Sequence, residues 1–392
     1  MIKRRVCTGN FAAAYGALLS RVQFAAAYPI TPQTFIVEHL SEFVNDGLID
    51  MEFVRMESEH SAMSACVSAA ATGVRTFTAT SSQGLALMHE ILFIAGSMHL
   101  PIVMPVVNRT VAGPIGIWCE YNDTMPQRDT GWLQCYVEDN QEVLDMVIQA
   151  YKIAENENVL LPIMINMDAF ILSHTVEPVD FPKQELVDDF LPNYKPKHAY
   201  FDVNDPLAIG TFSPPEYIQE VRNQTEESMR NAIKVIEEVN RDFAQVFGRD
   251  YHGLFEEYRT EDADVILITL GTVTSSAREI VDQYREKGKK VGLIKLRFFR
   301  PFPIEQLKKA TRGAKAIGVY DRSVSFGSGG PTYIETRSAL YGSQIPIVNF
   351  LAGLGGRDVM FEDIRYMYDT LLKYAETGKA EKEIHWIGSR GW

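Results

Sequence analysis

The chain has 392 residues, 46% of them hydrophobic, which is enough to build the cores of two domains. Its formal net charge of −13 argues against a nucleic-acid or anionic-membrane surface, because phosphate binding depends on clustered Lys and Arg side chains. The cysteines lie far apart without C-x-x-C spacing, so we predict buried free thiols rather than zinc or iron–sulfur ligands. They are Cys7, Cys66, Cys119 and Cys135.

The first part of the chain has the pattern of a parallel sheet covered by helices. An Ala-rich N-terminal segment resembles a secretory signal, but polar residues interrupt it, and a helix beginning near Asn10 is the better interpretation. No apolar run has the length of a membrane span. Short apolar runs then alternate with helix-length segments up to about residue 170. The predicted strands are 22–28, 53–56, 75–80, 102–108 and 163–166, with a helix at 33–43.

A second α/β unit follows a Pro-rich stretch. Residues 178–215 lose periodicity, and their prolines predict an ordered surface arm without ladder hydrogen bonds. An amphipathic helix at 216–247 comes next. We therefore predict a first domain at 1–250, which includes the arm, and a second domain at 251–392. The predicted strands of the second domain are 265–270, 291–296, 316–320 and 346–350, and its predicted helices are 274–287, 333–340 and 361–377.

Tyr28 and Thr31 lie where the first predicted strand meets a helix. Thr31 suits a helix N-cap and Pro32 suits the first helical turn, so the segment needs no function. Ligands of open α/β sheets, however, bind outside the carboxyl ends of the strands, which is where Tyr28 and Thr31 fall. Both interpretations remain open on pattern alone.

Glu57 and Glu59 open a helix that is rich in small residues and follows a strand. Two acids in a first turn are ordinarily explained by the helix dipole. The competing hypothesis is that one carboxyl group takes part in proton transfer at a ligand.

Two further motifs follow predicted strands. The backbone amides of Ser82, Gln83 and Gly84 would face a ligand, although the motif lacks the terminal Lys and Ser or Thr of a P-loop. Arg109 ends the strand at 102–108, where its guanidinium would bind a substrate carboxylate or form an ion pair with Asp123 or Asp129.

Other features give no separate site. His60 and His89 lack a partner at metal-ligand spacing, so we assign no metal to this chain. The glycine-rich turns at 326–331 and 353–358 do not match G-x-G-x-x-G between a strand and a helix, and turn geometry explains them.

Taken in order, seven segments resemble the α chain of the 2-oxoacid:ferredoxin oxidoreductases, a family whose pyruvate:ferredoxin members are also called pyruvate synthases. The resemblance covers nearly the whole chain. It implies a pyrimidine-type thiamine diphosphate-binding domain with a parallel sheet, followed by an α/β domain similar to the transketolase C-terminal domain. The segments are 28–34, 56–62, 80–84, 107–109, 127–132, 297–303 and 351–358.

The resemblance implies roles for individual residues. Glu59 matches the acid that faces N1′ of the cofactor aminopyrimidine, where it assists proton transfer, and Glu57 is not the expected catalyst. Thr31 and Arg109 match residues that contact the 2-oxoacid, Arg109 through the substrate carboxylate. Tyr28 and the turn formed by Ser82, Gln83 and Gly84 match positions near the cofactor or the substrate.

The resemblance also implies partners. No G-D-G motif followed by an N-N-like metal motif occurs here, so a β subunit is expected to bind the diphosphate and Mg²⁺ and to carry an iron–sulfur cluster. A γ subunit, a ferredoxin-like δ subunit with [4Fe-4S] clusters, and ferredoxin complete a cytoplasmic hetero-oligomer. The implied reaction converts pyruvate, coenzyme A and oxidised ferredoxin to acetyl-CoA, CO₂ and reduced ferredoxin.

Several alternatives stay open. Within the family, the substrate would be a branched-chain 2-oxoacid such as 2-oxoisovalerate, or 2-oxoglutarate. A non-catalytic scaffold subunit with the same fold is the alternative from another class. A self-contained thiamine decarboxylase is disfavoured by the missing diphosphate motif, and a CoA ligase is suggested only by the glycine-rich turns.

Overall fold

The computed structural model describes residues 3–390, which form two large β-sheets flanked by helices and one small two-stranded sheet. The first part of the chain contains β1 (Lys3–Thr8), α1 (Gly9–Leu19), β2 (Phe24–Ala27), α2 (Thr34–Asn45), β3 (Glu52–Arg55), α3 (Glu59–Ala70), β4 (Thr76–Phe77), α4 (Ser82–Ser97), β5 (Ile102–Asn108), β6 (Leu133–Tyr136), α5 (Asn140–Ala154), β7 (Ile163–Asp168), β8 (Val176–Phe181), α6 (Gln184–Phe190) and α7 (Pro215–Phe247).

The second part begins after α7. It contains β9 (Phe255–Tyr258), β10 (Val265–Thr269), α8 (Val273–Glu286), β11 (Val291–Leu296), β12 (Phe298–Arg300), α9 (Ile304–Ala310), β13 (Ala316–Asp321), α10 (Pro331–Ala339), β14 (Ile347–Leu351), α11 (Phe361–Thr377) and β15 (Ile384–Trp386). None of the helices that residues 3–390 form has the length and apolar character needed to cross a membrane.

The first large sheet has seven strands in the order β12-β6-β7-β5-β4-β2-β3. All neighbouring pairs from β6 to β3 are parallel, and β12 is antiparallel to β6. Every residue of the central strand β5 is buried, as expected where helices cover both faces of a parallel sheet. The carboxyl ends of β2, β3, β4 and β5 therefore share one edge.

Close helix packing explains the Ala-rich segment near the N-terminus. Thr8 caps α1 by accepting a hydrogen bond from the Phe11 amide at 3.2 Å. A Cβ atom on Gly16 would lie 2.7 Å from the Cβ of Val147 in α5, so the two helices approach too closely for a larger residue. The predicted helix near Asn10 is therefore present, and packing is the reason for its small residues.

The second large sheet has six strands in the order β15-β14-β13-β10-β11-β9. The pairs among β10, β11, β13, β14 and β15 are parallel, and β9 is antiparallel to β11. The prediction of two successive α/β parallel-sheet units is confirmed by this arrangement. All four cysteines are buried and free, as predicted.

Two predictions of local structure are wrong. Thr31 does not cap α2, because the chain makes a further turn and Gln33 occupies the cap position. The start of the Pro-rich stretch is regular, since β8 pairs antiparallel with β1 and α6 follows. Pro178 is tolerated there because the ribbon has only two strands and each is an edge.

The strand β12 joins the first sheet although it follows β11 of the second sheet. Residues 298–300 hydrogen-bond to β6 and complete the first sheet. The chain thus crosses back after β11 and joins the two sheets.

Buried charges reinforce this junction. The Glu142 carboxylate at the start of α5 accepts from Lys295 at 2.7 Å and from Arg297 at 2.6 Å. Lys295 also pairs with Glu138 at 2.9 Å. Burial alone would raise the pKa of Glu142, but the two cations outweigh it and lower the pKa to about 2. The ionised Glu142 therefore stabilises the contact between the two units.

We predict that Glu142→Gln lowers the stability of the protein by about 3–5 kcal/mol, because it leaves two buried cations without their shared carboxylate. Denaturant unfolding followed by circular dichroism measures the change. Glu305→Gln is the matched control, since Glu305 forms an exposed pair with Lys308 and should leave the transition unchanged. An unaltered transition for Glu142→Gln would contradict the interpretation.

The stabilisation that Glu142 provides with Lys295 and Arg297 depends on pH. The pKa of Glu142 is about 2 in the folded protein against 4.5 for the unfolded chain, so its stabilisation is complete above about pH 4.5 and is lost as the pH falls towards 2. The Gln variant should lack this component of acid unfolding.

Candidate active site

The predicted site residues follow four neighbouring strands of the first sheet. Thr31 follows β2, Glu59 follows β3, Gly84 lies in the first turn of α4 after β4, and Arg109 follows β5. These strands are adjacent in the order β5-β4-β2-β3 and all run parallel. Their carboxyl ends meet at one edge, which brings the four residues to the same side of the sheet.

Glu57 and Glu59 have different surroundings. Ser58 caps α3 by accepting from the Ser61 amide at 3.2 Å, which directs the next residue inward. The Glu59 side chain is only 7% exposed, and within residues 3–390 its carboxylate has no hydrogen-bond or ion-pair partner. Glu57 is exposed, and the hydrogen bond from the Ser61 hydroxyl at 2.6 Å lowers its pKa. Glu59 is thus the buried carboxylate that is free to bind a ligand.

Gly84 provides the space that Glu59 occupies. A Cβ atom on Gly84 would lie 2.6 Å from Oε1 of Glu59 and 2.5 Å from Oγ1 of Thr80. The Thr80 hydroxyl is itself buried and has no hydrogen-bond partner among the described residues. Buried polar atoms are nearly always paired in native proteins, because each unpaired one costs about 1–3 kcal/mol. The unpaired Thr80 hydroxyl and the Glu59 carboxylate border the same space at Gly84, an arrangement that suits a ligand with N–H groups.

The turn that carries Thr31 is held by buried amides. Gln33 accepts from the Ile30 amide at 3.3 Å and donates to the Ala79 carbonyl at 3.0 Å. Asn10 of α1 donates to the Pro32 carbonyl at 2.8 Å. The side chain of Thr31 stays exposed at the edge of the sheet. The turn is therefore fixed to the strand ends beside it, while Thr31 is available to a ligand.

The Arg109 guanidinium is held by backbone carbonyls rather than by an acid. Its Nη1 donates to the Thr31 carbonyl at 2.8 Å, and its Nε donates to the Gly116 carbonyl at 3.0 Å. Within residues 3–390, no carboxylate lies at ion-pair distance and Nη2 has no acceptor. Burial lowers the pKa of Arg109, an effect that a bound anion would oppose. The arrangement suits a carboxylate ligand.

Asp123 binds the backbone of Arg109 and does not form an ion pair with its side chain. Its Oδ2 accepts from the Arg109 backbone amide at 2.9 Å and from the Ser82 amide at 3.1 Å. The hypothesis of an ion pair between Arg109 and Asp123 or Asp129 is therefore wrong, and Asp129 instead lies 4.0 Å from Arg128. The Ser82 amide is already used and does not face a ligand.

The remaining predicted residues differ in exposure. Ser82 is buried, and its hydroxyl donates to the Thr110 carbonyl at 2.6 Å. Gln83 is half-buried and Tyr28 is 38% exposed at the end of β2. Gly84 of the turn at 82–84 lies against Glu59.

Sequence reasoning did not assign these roles to three residues that build the site. Thr80 supplies an unpaired hydroxyl, Gln33 holds the Thr31 turn, and Asp123 holds the ends of β5 and α4. The sequence feature that could have identified them is a single polar residue directly after an apolar strand. Such a residue either contacts a ligand or belongs to a buried hydrogen-bond network.

Two family models match the chain in succession. The model described as pyruvate flavodoxin/ferredoxin oxidoreductase, thiamine diphosphate-binding, matches residues 15–241. The model for pyruvate:ferredoxin oxidoreductase core domain II matches residues 263–364. The fold and these matches define the class of thiamine diphosphate-dependent oxidoreductases, with Glu59, Thr80 and Gly84 inside the first matched domain.

The chain belongs to the pyruvate flavodoxin/ferredoxin oxidoreductase family, which confirms the resemblance seen in the sequence. It is 50% identical over 389 residues to the pyruvate synthase subunit PorA of Pyrococcus furiosus, covering 99% of this chain and 98% of that one. It is 48% identical over 385 residues to the ketoisovalerate oxidoreductase subunit VorA of the same organism, covering 98% of this chain and 97% of that one.

Two solved structures share the fold. A 2-oxoglutarate:ferredoxin oxidoreductase from Magnetococcus marinus superposes with a TM-score of 0.72 at 20% identity, over 93% of this chain and 65% of that one. A split-gene transketolase superposes with a TM-score of 0.53 at 13% identity, over 92% of this chain and 97% of that one. Together with the family models they confirm the predicted fold class.

We predict that Gly84→Ala lowers catalytic activity of the assembled enzyme about a hundredfold or more, because the added methyl group displaces the Glu59 carboxylate. Activity is measured beside the thermal unfolding midpoint. Ala86→Ser is the control, since Ala86 lies on the exposed face of the same helix. Normal activity in Gly84→Ala would show that the position of Glu59 does not matter.

Proposed function

We propose that this chain is the α subunit of a CoA-acylating 2-oxoacid:ferredoxin oxidoreductase that converts pyruvate, coenzyme A and oxidised ferredoxin to acetyl-CoA, CO₂ and reduced ferredoxin. The observation that carries the proposal is the unpartnered, buried Glu59 carboxylate beside Thr80 and Gly84, on the same sheet edge as a guanidinium without a counter-ion. The family membership supports it, since one matching family model is thiamine diphosphate-binding.

Glu59 would hold the aminopyrimidine of thiamine diphosphate. A carboxyl group at N1′ stabilises the protonated ring nitrogen, and the ring in turn supplies an amino group to nearby acceptors. The Thr80 hydroxyl is a second buried group available there. Thiamine diphosphate, when bound, supplies the carbon nucleophile and the electron sink for decarboxylation. The low exposure of Glu59 strengthens its interaction with the ring because water is excluded.

Arg109 would bind the carboxylate of the 2-oxoacid. Its Nε and Nη1 are fixed by backbone carbonyls, so the free Nη2 edge is already oriented before substrate arrives. Thr31 is exposed beside it, and its hydroxyl would donate to the substrate. Tyr28, Ser82 and Gln83 would lie around the cofactor or the substrate.

We assign pyruvate as the substrate and 2-oxoisovalerate as the alternative. The Pyrococcus furiosus relatives named for these two acids are 50% and 48% identical to this chain, so identity alone gives only a slight preference. A structural relative named for 2-oxoglutarate is 20% identical and supports the fold alone. The residues around the acyl chain of the substrate must decide between the acids.

The active site would be completed by other polypeptides of a cytoplasmic assembly. We propose a β subunit that binds the diphosphate with Mg²⁺ and carries an iron–sulfur cluster, together with γ and ferredoxin-like δ subunits carrying [4Fe-4S] clusters. Relatives named as subunits of pyruvate synthase support this assembly. Within this chain we propose domains at 1–250 and 251–392, in line with family matches at 15–241 and 263–364.

We predict that Glu59→Gln lowers turnover of the assembled enzyme by about two orders of magnitude or more, because the amide cannot stabilise the protonated ring nitrogen. Glu57→Gln is the matched control: the two acids are two positions apart, but Glu57 is exposed. Steady-state assays and thermal unfolding are measured on both variants. Near-normal turnover of Glu59→Gln, or equal losses in both, would rule out the assigned role.

We further predict CoA-dependent reduction of a low-potential one-electron dye by the purified complex with pyruvate. Activity with 2-oxoisovalerate and 2-oxoglutarate is measured in parallel. Higher kcat/KM for 2-oxoisovalerate would replace the assigned substrate but keep the class. A complex without thiamine diphosphate and without activity on any of the three acids would favour the scaffold alternative.

A further inference from the structure

We propose that Asp123 is a positioning residue for the 2-oxoacid: its carboxylate sets Arg109 and the first turn of α4 in the places that substrate use requires. The inference rests on the proposed function, because Arg109 is there the residue that binds the substrate carboxylate. Asp123 would act through Arg109 and the turn at Ser82, and not by touching the substrate or the cofactor.

The geometry gives one carboxylate four hydrogen bonds from three parts of the chain. Oδ2 accepts from the Arg109 amide at 2.9 Å and from the Ser82 amide at 3.1 Å. Oδ1 accepts from Asn108 Nδ2 at 3.0 Å and from the Thr124 amide at 2.8 Å. The end of β5, the start of α4 and the loop after residue 110 are therefore tied to the same two oxygen atoms.

These two oxygens hold the segment that carries Arg109 and the segment that carries Gly84. Arg109 places the guanidinium that would meet the substrate carboxylate. The turn that starts at Ser82 places Gly84 two residues later, and Gly84 leaves the space for Glu59. A shift at Asp123 would move the substrate-binding group and the wall against Glu59 together.

Only an ionised carboxylate satisfies this arrangement. Each oxygen must accept two bonds, whereas an amide offers one accepting oxygen and one donating nitrogen. Asn at position 123 would thus direct its NH₂ group at two N–H donors in either orientation. Asp123 is 1% exposed and has no ion-pair partner among residues 3–390. A buried charge of this kind is costly and calls for a function.

One charged side chain lies near Asp123: the Arg109 guanidinium interacts with the Asp123 charge but forms no ion pair with it. Asn108 is the last residue of β5 and Arg109 follows it; Ser82 comes from α4, Tyr136 from β6, and Cys119 from the loop between β5 and β6. Of these only the Arg109 side chain is charged near neutral pH, and it points to the carbonyls of Thr31 and Gly116. Protonation of Asp123 would convert one accepting oxygen to a hydroxyl and weaken the hold on one pair of donors.

Burial raises the pKa of Asp123 to about 6 despite the four hydrogen bonds. The folded value lies above the unfolded value of 3.8, so acidification through this interval favours the folded state at this residue. A loss of substrate use over the same interval would therefore not come from unfolding driven by Asp123.

The first experiment compares Asp123→Asn with Asp129→Asn in the assembled enzyme. Asp129 is an exposed acid in the same region and lies 4.0 Å from Arg128. We expect Asp123→Asn to raise KM for the 2-oxoacid about tenfold or more, with a smaller change in kcat, because two hydrogen bonds that place Arg109 or its neighbours are lost. KM for coenzyme A should stay unchanged in both variants. Unchanged KM for the 2-oxoacid, or an equal effect in Asp129→Asn, would overturn the proposal.

The second readout needs no turnover and so separates this proposal from the proposed function. Hydrogen exchange measured by mass spectrometry follows the peptides that contain Ser82 and Arg109. Faster exchange in both peptides of Asp123→Asn, and not of Asp129→Asn, is expected. If exchange becomes faster but the wild type turns over no 2-oxoacid, the proposed function is wrong while Asp123 still holds the two segments. If exchange does not change, Asp123 does not hold them and the proposal is overturned.

The third readout uses the wild-type complex and applies even if Asp123→Asn does not fold. We expect kcat/KM for the 2-oxoacid to fall as the pH drops below about 6, and protection of the same two peptides, corrected for intrinsic exchange rates, to fall in parallel. A fall in kcat/KM with unchanged protection would assign the titration to another group and overturn the role of Asp123. In a folded Asp123→Asn variant this pH dependence should be absent.

Discussion

Parallel pairing of β2, β3, β4 and β5 is the constraint on which the rest of the site depends. Parallel strands must end on the same edge, and each is followed by a turn that has to find partners for its backbone groups. Residues from four separate segments are thereby brought together without any being close in sequence. The hydrogen bonds of Gln33, Asp123 and Arg109 then fix the turns relative to one another.

Buried polar groups at this edge of the sheet have two kinds of surroundings. Gln33, the side-chain nitrogen of Asn108, and Asp123 form hydrogen bonds that hold neighbouring turns. Glu59, the Thr80 hydroxyl and one side of the Arg109 guanidinium are left without partners among the described residues. This carboxylate, hydroxyl and cation match an N–H-bearing ring and a carboxylate-bearing substrate.

The second unit also contributes to the structure of the first. It returns β12 to the first sheet and places Lys295 and Arg297 against Glu142, in a contact from which water is excluded. Contact also extends to the sheet edge that carries the site, where Asp168 at the end of β7 accepts from Arg322 at 2.9 Å. The two units therefore hold the edge as one body, which a site that needs fixed distances requires.

The sequence alone determined the succession of two parallel-sheet units, the regular helices such as Phe361–Thr377, and the strand-end location of Thr31, Glu59 and Arg109. Hydrophobic periodicity and the order of elements suffice for these, since they are local properties of the chain. The family could be recognised because seven segments of the chain match it in the same order.

Only the tertiary structure decided which acid of the Glu57 and Glu59 pair is buried, that Asp123 binds backbone amides instead of the guanidinium, and that β12 joins the first sheet. The side chain of Glu59 is defined by the space at Gly84, twenty-five positions along the chain, and β12 by an edge that β6 leaves open. Such facts depend on contacts between distant segments, which no local pattern of residues encodes.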